Sequence, residues 1–215
     1  MTRIAIIIPS LGRSEVLSKT LTLLAAQSRP ADHICVVVTN PEDAPTIPDT
    51  GNIDVLYAAI GSCAQRNAGI DQTIGASDII TFLDDDFVPS SDYLETLVEI
   101  FTTRPEIAGL TGHVLADGVI GPGLSFEDAD RILDNRHNPQ SRARQKETRE
   151  PSLYGCNMSF RRSAIEDVRF DERLPFYGWL EDVDFSVQAG RRGHLIKTPR
   201  LQGVHLGVKG GRTSG

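Results

Sequence analysis

The chain has 215 residues, of which 40% are hydrophobic and 24% are charged, and its formal net charge is −7. These values are typical of a globular protein with one full core, and they exclude the basic surface that marks nucleic-acid-binding proteins. No apolar run approaches the ~20 residues of a membrane-spanning helix. Three scattered cysteines, Cys35, Cys63 and Cys156, are too few for a disulfide framework. We therefore expect a cytoplasmic protein with reduced thiols and no nucleic-acid partner.

Strand-like and helix-like patterns alternate in the first half of the chain. They predict strands over 3–8, 34–38, 53–58 and 79–83, helices over 14–27, 62–74 and 91–103, and an extended segment over 107–115. Such alternation is typical of βαβ units, and it predicts an α/β fold with a mostly parallel central sheet flanked by helices. Ligands of these sheets bind at the carboxyl ends of the strands.

The pattern changes between residues 117 and 150. Glycines and prolines come first, and a polar stretch that contains the basic segment 142–146 follows. We expect an excursion from the sheet with a helix over 125–135, and the basic segment is typical of a solvated face. Regular patterns then return and predict order over 153–160, a helix over 180–191 and a strand over 201–206. The sequence thus predicts a single domain over residues 1–206 and a flexible tail over 207–215.

Three adjacent carboxylates, Asp84-Asp85-Asp86, directly follow the fourth predicted strand. They repel one another and gain no packing energy, so their charge requires compensation. A divalent cation, Mg²⁺ or Mn²⁺ bound together with a phosphate, supplies that compensation in many proteins. An exposed acidic turn that caps the next helix is the other interpretation, and the triplet alone does not decide between the two.

A second acidic cluster, Glu181-Asp182-Val183-Asp184, follows the aromatic and apolar segment 176–180. Apolar neighbours raise the pKa of a carboxyl group, which suits a general base such as Asp182 or Glu181. Asp184 is two residues from Asp182, so the two do not share a helix face. The simpler interpretation is a helix whose first turn carries acidic residues because they interact favourably with the helix dipole.

Two isolated polar residues are further candidates. Arg66, followed by Asn67, either binds a phosphate or orders the neighbouring acids, unless it is an ordinary surface arginine. His205 is either a ligand or a packed, hydrogen-bonded histidine. The other histidines show no partner pattern and are expected to be structural or exposed: His33, His113, His137 and His194.

Together these residues resemble the family 2 glycosyltransferases with the GT-A fold. The matching motifs are Ile6-Ile7-Ile8-Pro9-Ser10 with Arg13, Arg66-Asn67-Ala68-Gly69, Phe82-Leu83-Asp84-Asp85-Asp86 with Pro89, Gly155-Cys156-Asn157-Met158-Ser159-Phe160-Arg161-Arg162, Phe170-Asp171-Glu172 and Gly178-Trp179-Leu180-Glu181-Asp182-Val183-Asp184. Each motif is weak alone, but their order and spacing over residues 3–206 are specific. The resemblance implies an inverting, metal-dependent enzyme that moves a sugar from a nucleotide-sugar donor to an acceptor hydroxyl.

The resemblance also implies roles for individual residues. Those expected to bind the nucleotide sugar are Pro9, Ser10, Arg13, Thr39, Arg66, Asp84, Asp85 and Asn157. Within this set Asp84 would approach the ribose. Asp86 and His205 would ligate the Mn²⁺ or Mg²⁺ ion that bridges the diphosphate. Asp182 would be the catalytic base, with Glu181 beside it.

The acceptor stays open as a carbohydrate, a glycolipid or a protein. A lipid-linked acceptor would bring peripheral membrane contact, and we expect acceptor specificity to reside in residues 117–150. The chain departs from the family at Thr39-Asn40, where an acidic residue that reads the nucleobase is usual. Thr39 or Asn40 can still form a hydrogen bond to a base, so the departure leaves the donor's identity open.

Other functions fit parts of the sequence. Asp84 and Asp86 match the D-x-D-x-V motif of haloacid-dehalogenase-like phosphatases, in which the first aspartate is a nucleophile. That motif normally follows the first strand of its domain. A sugar-nucleotide pyrophosphorylase needs a glycine-rich basic loop, of which 10–13 is a poor version. A non-catalytic nucleotide-sugar-binding module is favoured by Thr39 but not by the two acidic clusters.

Overall fold

The structure is a computed structural model that describes residues 1–137, 146–174 and 180–210, apart from the side chain of His137. Parts of three sequence predictions lie outside these residues. They are the basic segment except for Lys146, the aromatic residues 176–179 that precede the second acidic cluster, and the end of the tail at 211–215.

Nine strands of the described residues form one sheet. The strands are β1 (Ile4–Pro9), β2 (His33–Val38), β3 (Ile53–Tyr57), β4 (Ile79–Leu83), β5 (Phe87–Pro89), β6 (Ile107–Asp117), β7 (Thr148–Arg149), β8 (Asn157–Arg161) and β9 (His194–His205). Their order across the sheet is β3-β2-β1-β4-β8-β6-β9-β5, and β7 pairs with β9. All predicted strands are present, whereas β5 and β7 were not predicted because strands this short leave no periodic pattern.

Six α-helices accompany these strands in the described part of the chain. They are α1 (Ser14–Ala25), α2 (Ser62–Thr73), α3 (Tyr93–Thr103), α4 (Phe126–Asp134), α5 (Arg162–Ile165) and α6 (Glu181–Ala189). The predicted helices match α1 to α4 and α6 to within two residues at each end. No helix among the described residues is both long enough and apolar enough to cross a membrane.

The sheet divides into a parallel half and a mixed half. Strands β3, β2, β1 and β4 pair in parallel, as the alternation of strands and helices predicts. Beyond β4 the prediction of a mostly parallel sheet needs qualification, since β8 runs antiparallel to both β4 and β6. The reason is that β8 follows an irregular segment rather than a crossover helix, and an antiparallel strand needs no such helix. The predicted α/β fold class is confirmed.

Helices cover both faces of the sheet, so the core has two layers. One apolar layer joins the sheet to α1 and α3, and the other joins it to α2, α5 and α6. The strand β1 lies between them, and its residues from Ile4 to Ile8 are completely buried. Burial on both faces explains why this strand is a continuous apolar run instead of an alternating one.

A tight approach of α2 to β1 fixes the height of the helix above the sheet. A Cβ atom added to Gly69 would lie 2.4 Å from Cγ2 of Ile7, so a larger residue would push the helix outward. The first turn of α2 lies over the carboxyl end of β1, where Gln65 donates a hydrogen bond to the Ser10 carbonyl oxygen. That edge of the sheet carries the candidate site.

Candidate active site

A cavity of about 410 Å³ opens at the carboxyl ends of β1 and β4. Most of the predicted site residues line it: Pro9, Ser10, Arg13, Arg66, Asp84, Asp86, Glu181, Asp182 and His205. Three predicted residues do not line it, namely Thr39, Asp85 and Asn157. Both acidic clusters therefore face one cavity, although about a hundred residues separate them in the chain and they belong to different elements.

Asp84, Asp86 and His205 form a group whose ligand atoms all lie within 4.8 Å of one another. Nε2 of His205 is 3.3 Å from Asp86 Oδ1 and 3.7 Å from Asp84 Oδ2. The pairing of β5 with β9 creates this contact, because it sets Phe87 opposite His205 directly after the triplet. A Cβ atom on Gly203 would lie 2.2 Å from the Phe87 ring, so glycine is required for this close pairing.

The group fits a divalent cation. Asp86 is almost fully buried, and its Oδ2 accepts a hydrogen bond of 2.8 Å from the Val208 backbone N–H. Two carboxylates that converge on one imidazole are a costly arrangement without a cation, since buried like charges repel. Carboxylate oxygen and imidazole nitrogen are also common ligands of divalent metals.

The pKa values in this group reflect the same crowding of charge. Burial by itself raises the pKa of Asp86, but the hydrogen bond and charge of His205, together with Arg13 and the Val208 N–H, lower it below its usual value. Burial lowers the pKa of His205, yet the hydrogen bond to Asp86 and the nearby carboxylates raise it overall. A bound cation would replace the proton on the imidazole.

Asp85 points away from the cavity into the loop between β1 and α1. Its completely buried carboxylate accepts a hydrogen bond of 2.5 Å from the Ser10 hydroxyl and lies 2.7 Å from Nη2 of Arg13. The Thr20 hydroxyl donates to its backbone carbonyl at 2.7 Å. Burial raises the pKa of Asp85 to about 7, against the effects of Arg13 and Ser10. The middle carboxylate thus contacts the loop of residues 10–13 between β1 and α1, called the donor loop below, rather than the cavity.

Arg66 connects the two acidic clusters. Its buried guanidinium donates from Nη1 to Glu181 at 2.6 Å and from Nη2 to Asp84 at 3.2 Å. Nη2 also lies 3.4 Å from the carbonyl oxygen of Gly155. These contacts agree with the interpretation that Arg66 orders the neighbouring acids. They do not agree with an ordinary surface arginine. Its neighbour Asn67 bonds the backbone N–H and carbonyl of Phe170 and thereby holds the segment before α6.

Glu181 and Asp182 begin α6 and have different partners. Burial raises the pKa of Glu181, although its ion pair with Arg66 opposes the rise. Asp182 accepts a hydrogen bond of 3.0 Å from the Gly155 N–H, and its side chain remains partly exposed to the cavity. Asp184 is exposed and accepts from Gln188, so it faces away as predicted. Leu180, before them, has φ of 66°, the one positive value at a non-glycine among the described residues.

The remaining predicted residues lie behind or beside the cavity. Asn157 is completely buried on β8, where its Oδ1 accepts a hydrogen bond from the Thr111 hydroxyl. Thr39 follows β2, and its Oγ1 is buried without a hydrogen-bond partner. The nearby carboxylate of Asp43 accepts from the Gly12 N–H at 2.9 Å. Neither Asn157 nor Thr39 reaches the cavity wall in this structure.

The sequence analysis did not identify three residues that support the site, namely Asp117, Tyr154 and Gln65. Asp117 accepts from the Tyr154 hydroxyl at 2.7 Å, and its other oxygen is 3.1 Å from Nδ1 of His205. Gln65 donates to the carbonyl oxygens of Ser10 and Val37, which joins the ends of β1 and β2. Asp117 carried the same signal as the triplet, an acidic residue at a strand end, but it was assigned to the excursion.

Comparison with protein families gives one match over most of the chain. The sequence profile of glycosyltransferase-like family 2 matches residues 2–198. A glucosyl-dolichyl phosphate glucuronosyltransferase of Haloferax volcanii is 28% identical over 169 residues, which are 74% of this chain and 52% of that protein. The chain therefore spans about half the length of this curated relative.

Solved structures share the fold at low sequence identity. GalNAc-T7 with UDP, GalNAc and Mn²⁺ matches with a TM-score of 0.69 and 15% identity over 95% of this chain and 44% of that one. The mannosyltransferase PcManGT from Pyrobaculum calidifontis, in complex with GDP-Man and Mn²⁺, matches with a TM-score of 0.63 and 16% identity over 98% and 58% of the two chains. These matches concern the fold alone.

Proposed function

The chain belongs to glycosyltransferase-like family 2, as its motifs indicated, and from this premise we propose that it transfers a sugar from a nucleotide-diphosphate sugar to an acceptor hydroxyl. The transfer is assisted by a divalent cation and inverts the anomeric carbon. One observation carries the proposal: the ligand atoms of Asp84, Asp86 and His205 lie close enough together to suit a divalent cation, and Asp182 borders the same cavity from another element.

Asp84, Asp86 and His205 would hold the cation. When bound, it neutralises the negative charge that develops on the leaving nucleoside diphosphate. The imidazole nitrogen favours Mn²⁺ over Mg²⁺, because Mg²⁺ is usually bound by oxygen atoms alone. Two solved relatives of the fold contain Mn²⁺, which supports the same choice here.

The nucleotide half of the donor would bind along the carboxyl end of β1. Pro9, Ser10 and Arg13 line this part of the cavity, and the Arg13 guanidinium faces both Asp85 and Asp86. Asp85 then acts indirectly, since it fixes Ser10 and Arg13 while remaining out of reach. Asp84 borders both the cation group and this part of the cavity, so its proposed approach to the ribose is additional to its role as a ligand. Thr39 lies behind the cavity wall, so a contact with the nucleobase would require a local shift of the chain.

Asp182 is the better candidate for the general base. A base must accept a proton from the acceptor hydroxyl, so one of its oxygens must be accessible in the cavity. The Glu181 carboxylate is paired with Arg66 at 2.6 Å. This ion pair makes Glu181 a poorer proton acceptor, and it holds the Arg66 guanidinium in place. Deprotonation of the acceptor from this side permits a direct displacement at the anomeric carbon, which inverts it.

The site constrains the acceptor less than it constrains the donor. The candidate acceptors are a carbohydrate, a glycolipid or a protein. The name of the Haloferax volcanii relative specifies glucosyl-dolichyl phosphate, and this supports a lipid-linked acceptor reached by peripheral contact with a membrane. Residues 117–150 are the proposed source of acceptor specificity, because Val119 of this segment lines the cavity.

A donor panel tests the proposal. The protein is incubated with UDP- and GDP-sugars and Mn²⁺, and release of the nucleoside diphosphate is followed by a coupled assay. We expect release from one donor class, loss of release in excess EDTA, and recovery when Mn²⁺ is restored in excess. Mg²⁺ should support slower release than Mn²⁺ at the same free concentration.

Two results would contradict parts of the proposal. Full release in excess EDTA would remove the cation from the mechanism, and with it the role of Asp86. Rapid phosphate release from generic phosphomonoesters, abolished by Asp84→Asn, would instead support the phosphatase interpretation. That interpretation has no structural support, because the triplet follows β4 rather than β1 and no lysine is among the described residues that line the cavity.

A further inference from the structure

Asp117 and His205 end two neighbouring strands side by side. They are the last residues of β6 and β9, and the strand register pairs them directly. Oδ1 of Asp117 lies 3.1 Å from Nδ1 of His205, and its Oδ2 accepts a hydrogen bond of 2.7 Å from the Tyr154 hydroxyl. The Tyr154 ring meets the imidazole edge-on, with 6.1 Å between the ring centroids.

The two nitrogens of the His205 ring therefore have separate surroundings. Nδ1 faces Asp117, while Nε2 faces Asp86 and Asp84 at 3.3 Å and 3.7 Å. A carboxylate beside Nδ1 holds a proton on that nitrogen whenever the other nitrogen binds a cation, because a carboxylate can only accept. The arrangement presents the Nε2 lone pair to the cation-binding group.

The backbone keeps this geometry in place. The Gly118 N–H donates to the His205 carbonyl oxygen at 2.8 Å. A Cβ atom on Gly118 would lie 2.0 Å from the carbonyl oxygen of Leu206, so the chain after Asp117 lies against the end of β9 with no space for a side chain. The distance between the carboxylate and the imidazole is thus set by strand pairing and not by two free side chains.

We propose that Asp117 is a positioning residue that orients His205 for cation binding and is itself held by Tyr154. It is not a ligand, since both of its oxygens already have partners and it lies outside the group formed by Asp84, Asp86 and His205. Without a cation, Asp117 adds a further negative charge beside that group. The Asp117 carboxylate beside Nδ1 would make the imidazole a more basic ligand, and its negative charge would attract a cation held by the group.

The inference rests on the proposed cation site, so its test measures cation binding and not turnover. The full chain is titrated with Mn²⁺ alone, and free Mn²⁺ is followed by electron paramagnetic resonance. The variants are Asp117→Asn, Asp117→Ala and Tyr154→Phe. Asp130→Asn on α4 is the matched control, because it removes one exposed carboxylate. The melting temperature of each metal-free variant is measured in EDTA.

We expect Asp117→Asn, which retains an acceptor oxygen, to weaken Mn²⁺ binding about 10-fold, and Asp117→Ala to weaken it about 100-fold. Tyr154→Phe should have a smaller effect than Asp117→Asn, and Asp130→Asn should bind like the wild type. The metal-free melting temperature of Asp117→Asn should stay at the wild-type value. A purely structural residue would show the opposite pattern, with a lower melting temperature and unchanged affinity.

Two further results overturn the inference in distinguishable ways. If the wild type binds Mn²⁺ and both Asp117 variants bind it within about twofold, Asp117 does not position His205 and the proposed function stands. If the wild type itself binds no Mn²⁺, the cation site of the proposed function falls and the role of Asp117 falls with it.

Discussion

The triplet at the end of β4, through Asp84 and Asp86, and the pair that begins α6 face the same cavity, but the fold holds them differently. Asp85 and Asp86 are buried, and each has at least two polar partners from other parts of the chain. Glu181 and Asp182 lie partly exposed at a helix start, preceded by Leu180 with its positive φ. The first cluster is fixed by the sheet, and the second by a few contacts at one helix end.

The difference teaches that neighbouring carboxylates need not share a role. In the triplet, Asp84 and Asp86 both face His205, and Asp84 also pairs with Arg66. Asp85 turns instead to the donor loop. In the second cluster, Glu181 pairs with Arg66 while Asp182 keeps one face open to the cavity. We therefore expect substitutions in the first cluster to alter stability and cation binding, and those in the second to alter turnover.

The largest effect should come from Asp182→Asn. Loss of the general base should lower kcat about 10²–10⁴-fold, while the affinity for the nucleoside diphosphate with Mn²⁺, measured by calorimetry, should change little. Asp184→Asn is the control, because Asp184 is an exposed aspartate of the same helix turn. Wild-type turnover by the Asp182 variant would remove it as the base, and equal losses in both variants would point to the helix instead.

The next effect concerns stability in the first cluster. Asp85→Asn removes a buried partner of Arg13, which keeps Asp86 as its other partner. At pH 8, where a carboxyl with a pKa of about 7 is ionised, we expect the substitution to lower the free energy of unfolding by about 1–2 kcal/mol, because burial opposes the charged form. Asp84→Asn is the matched comparison. Because the Asp84 side chain is more exposed, this substitution should lower the free energy of unfolding much less. Urea denaturation measures both. If the two variants prove equally stable, the division of the triplet into a supporting and a reacting carboxylate is wrong.

A smaller effect should appear as coupling between the clusters. Because Arg66 contacts both Asp84 and Glu181, the variants Asp84→Asn and Glu181→Gln should not be additive. A double-mutant cycle in urea should give an interaction free energy of about 1 kcal/mol. Additivity to within about 0.3 kcal/mol would mean that the clusters are independent despite their shared arginine.

The smallest expected difference between the two clusters is the difference in thiol labelling rate between a cysteine near each of them. Cys63 lies near the second cluster, and burial followed by the charge of Glu181 raises its pKa to about 11. Cys156 lies next to the triplet, and burial raises its pKa further. Both thiols should react slowly with a disulfide reagent at pH 8, because a pKa near 11 leaves roughly 100-fold less thiolate than an ordinary cysteine has.

The comparison of the two cysteines tests which cluster opens more readily. Peptide mass spectrometry after timed labelling should find Cys63 modified before Cys156, since burial raises the pKa of the Cys63 thiol less than that of the Cys156 thiol. Faster labelling of Cys156 would reverse the ranking of the two clusters. Both should react at once in guanidinium chloride.

Much of the fold was accessible from the sequence because its signals are local. The run from Ile4 to Ile8 is a continuous apolar stretch, and the helices α1 and α3 carry apolar residues at helical spacing. The prediction was less complete after residue 117, where β7 has two residues and β9 runs from 194 instead of 201. The register shifts between β6 and β9 explain why this strand lacks a regular pattern.

The sequence by itself determined the parallel character of the sheet in the amino-terminal half, the place of the acidic triplet at a strand end and the family to which the chain belongs. Local patterns and motif spacing suffice for these. Only the tertiary structure decided that Asp85 faces the donor loop, that Arg66 joins the two clusters and that Asp117 backs His205. These facts depend on contacts between residues 18 to 115 positions apart, and burial, not sequence neighbourhood, selects the partners of each charge.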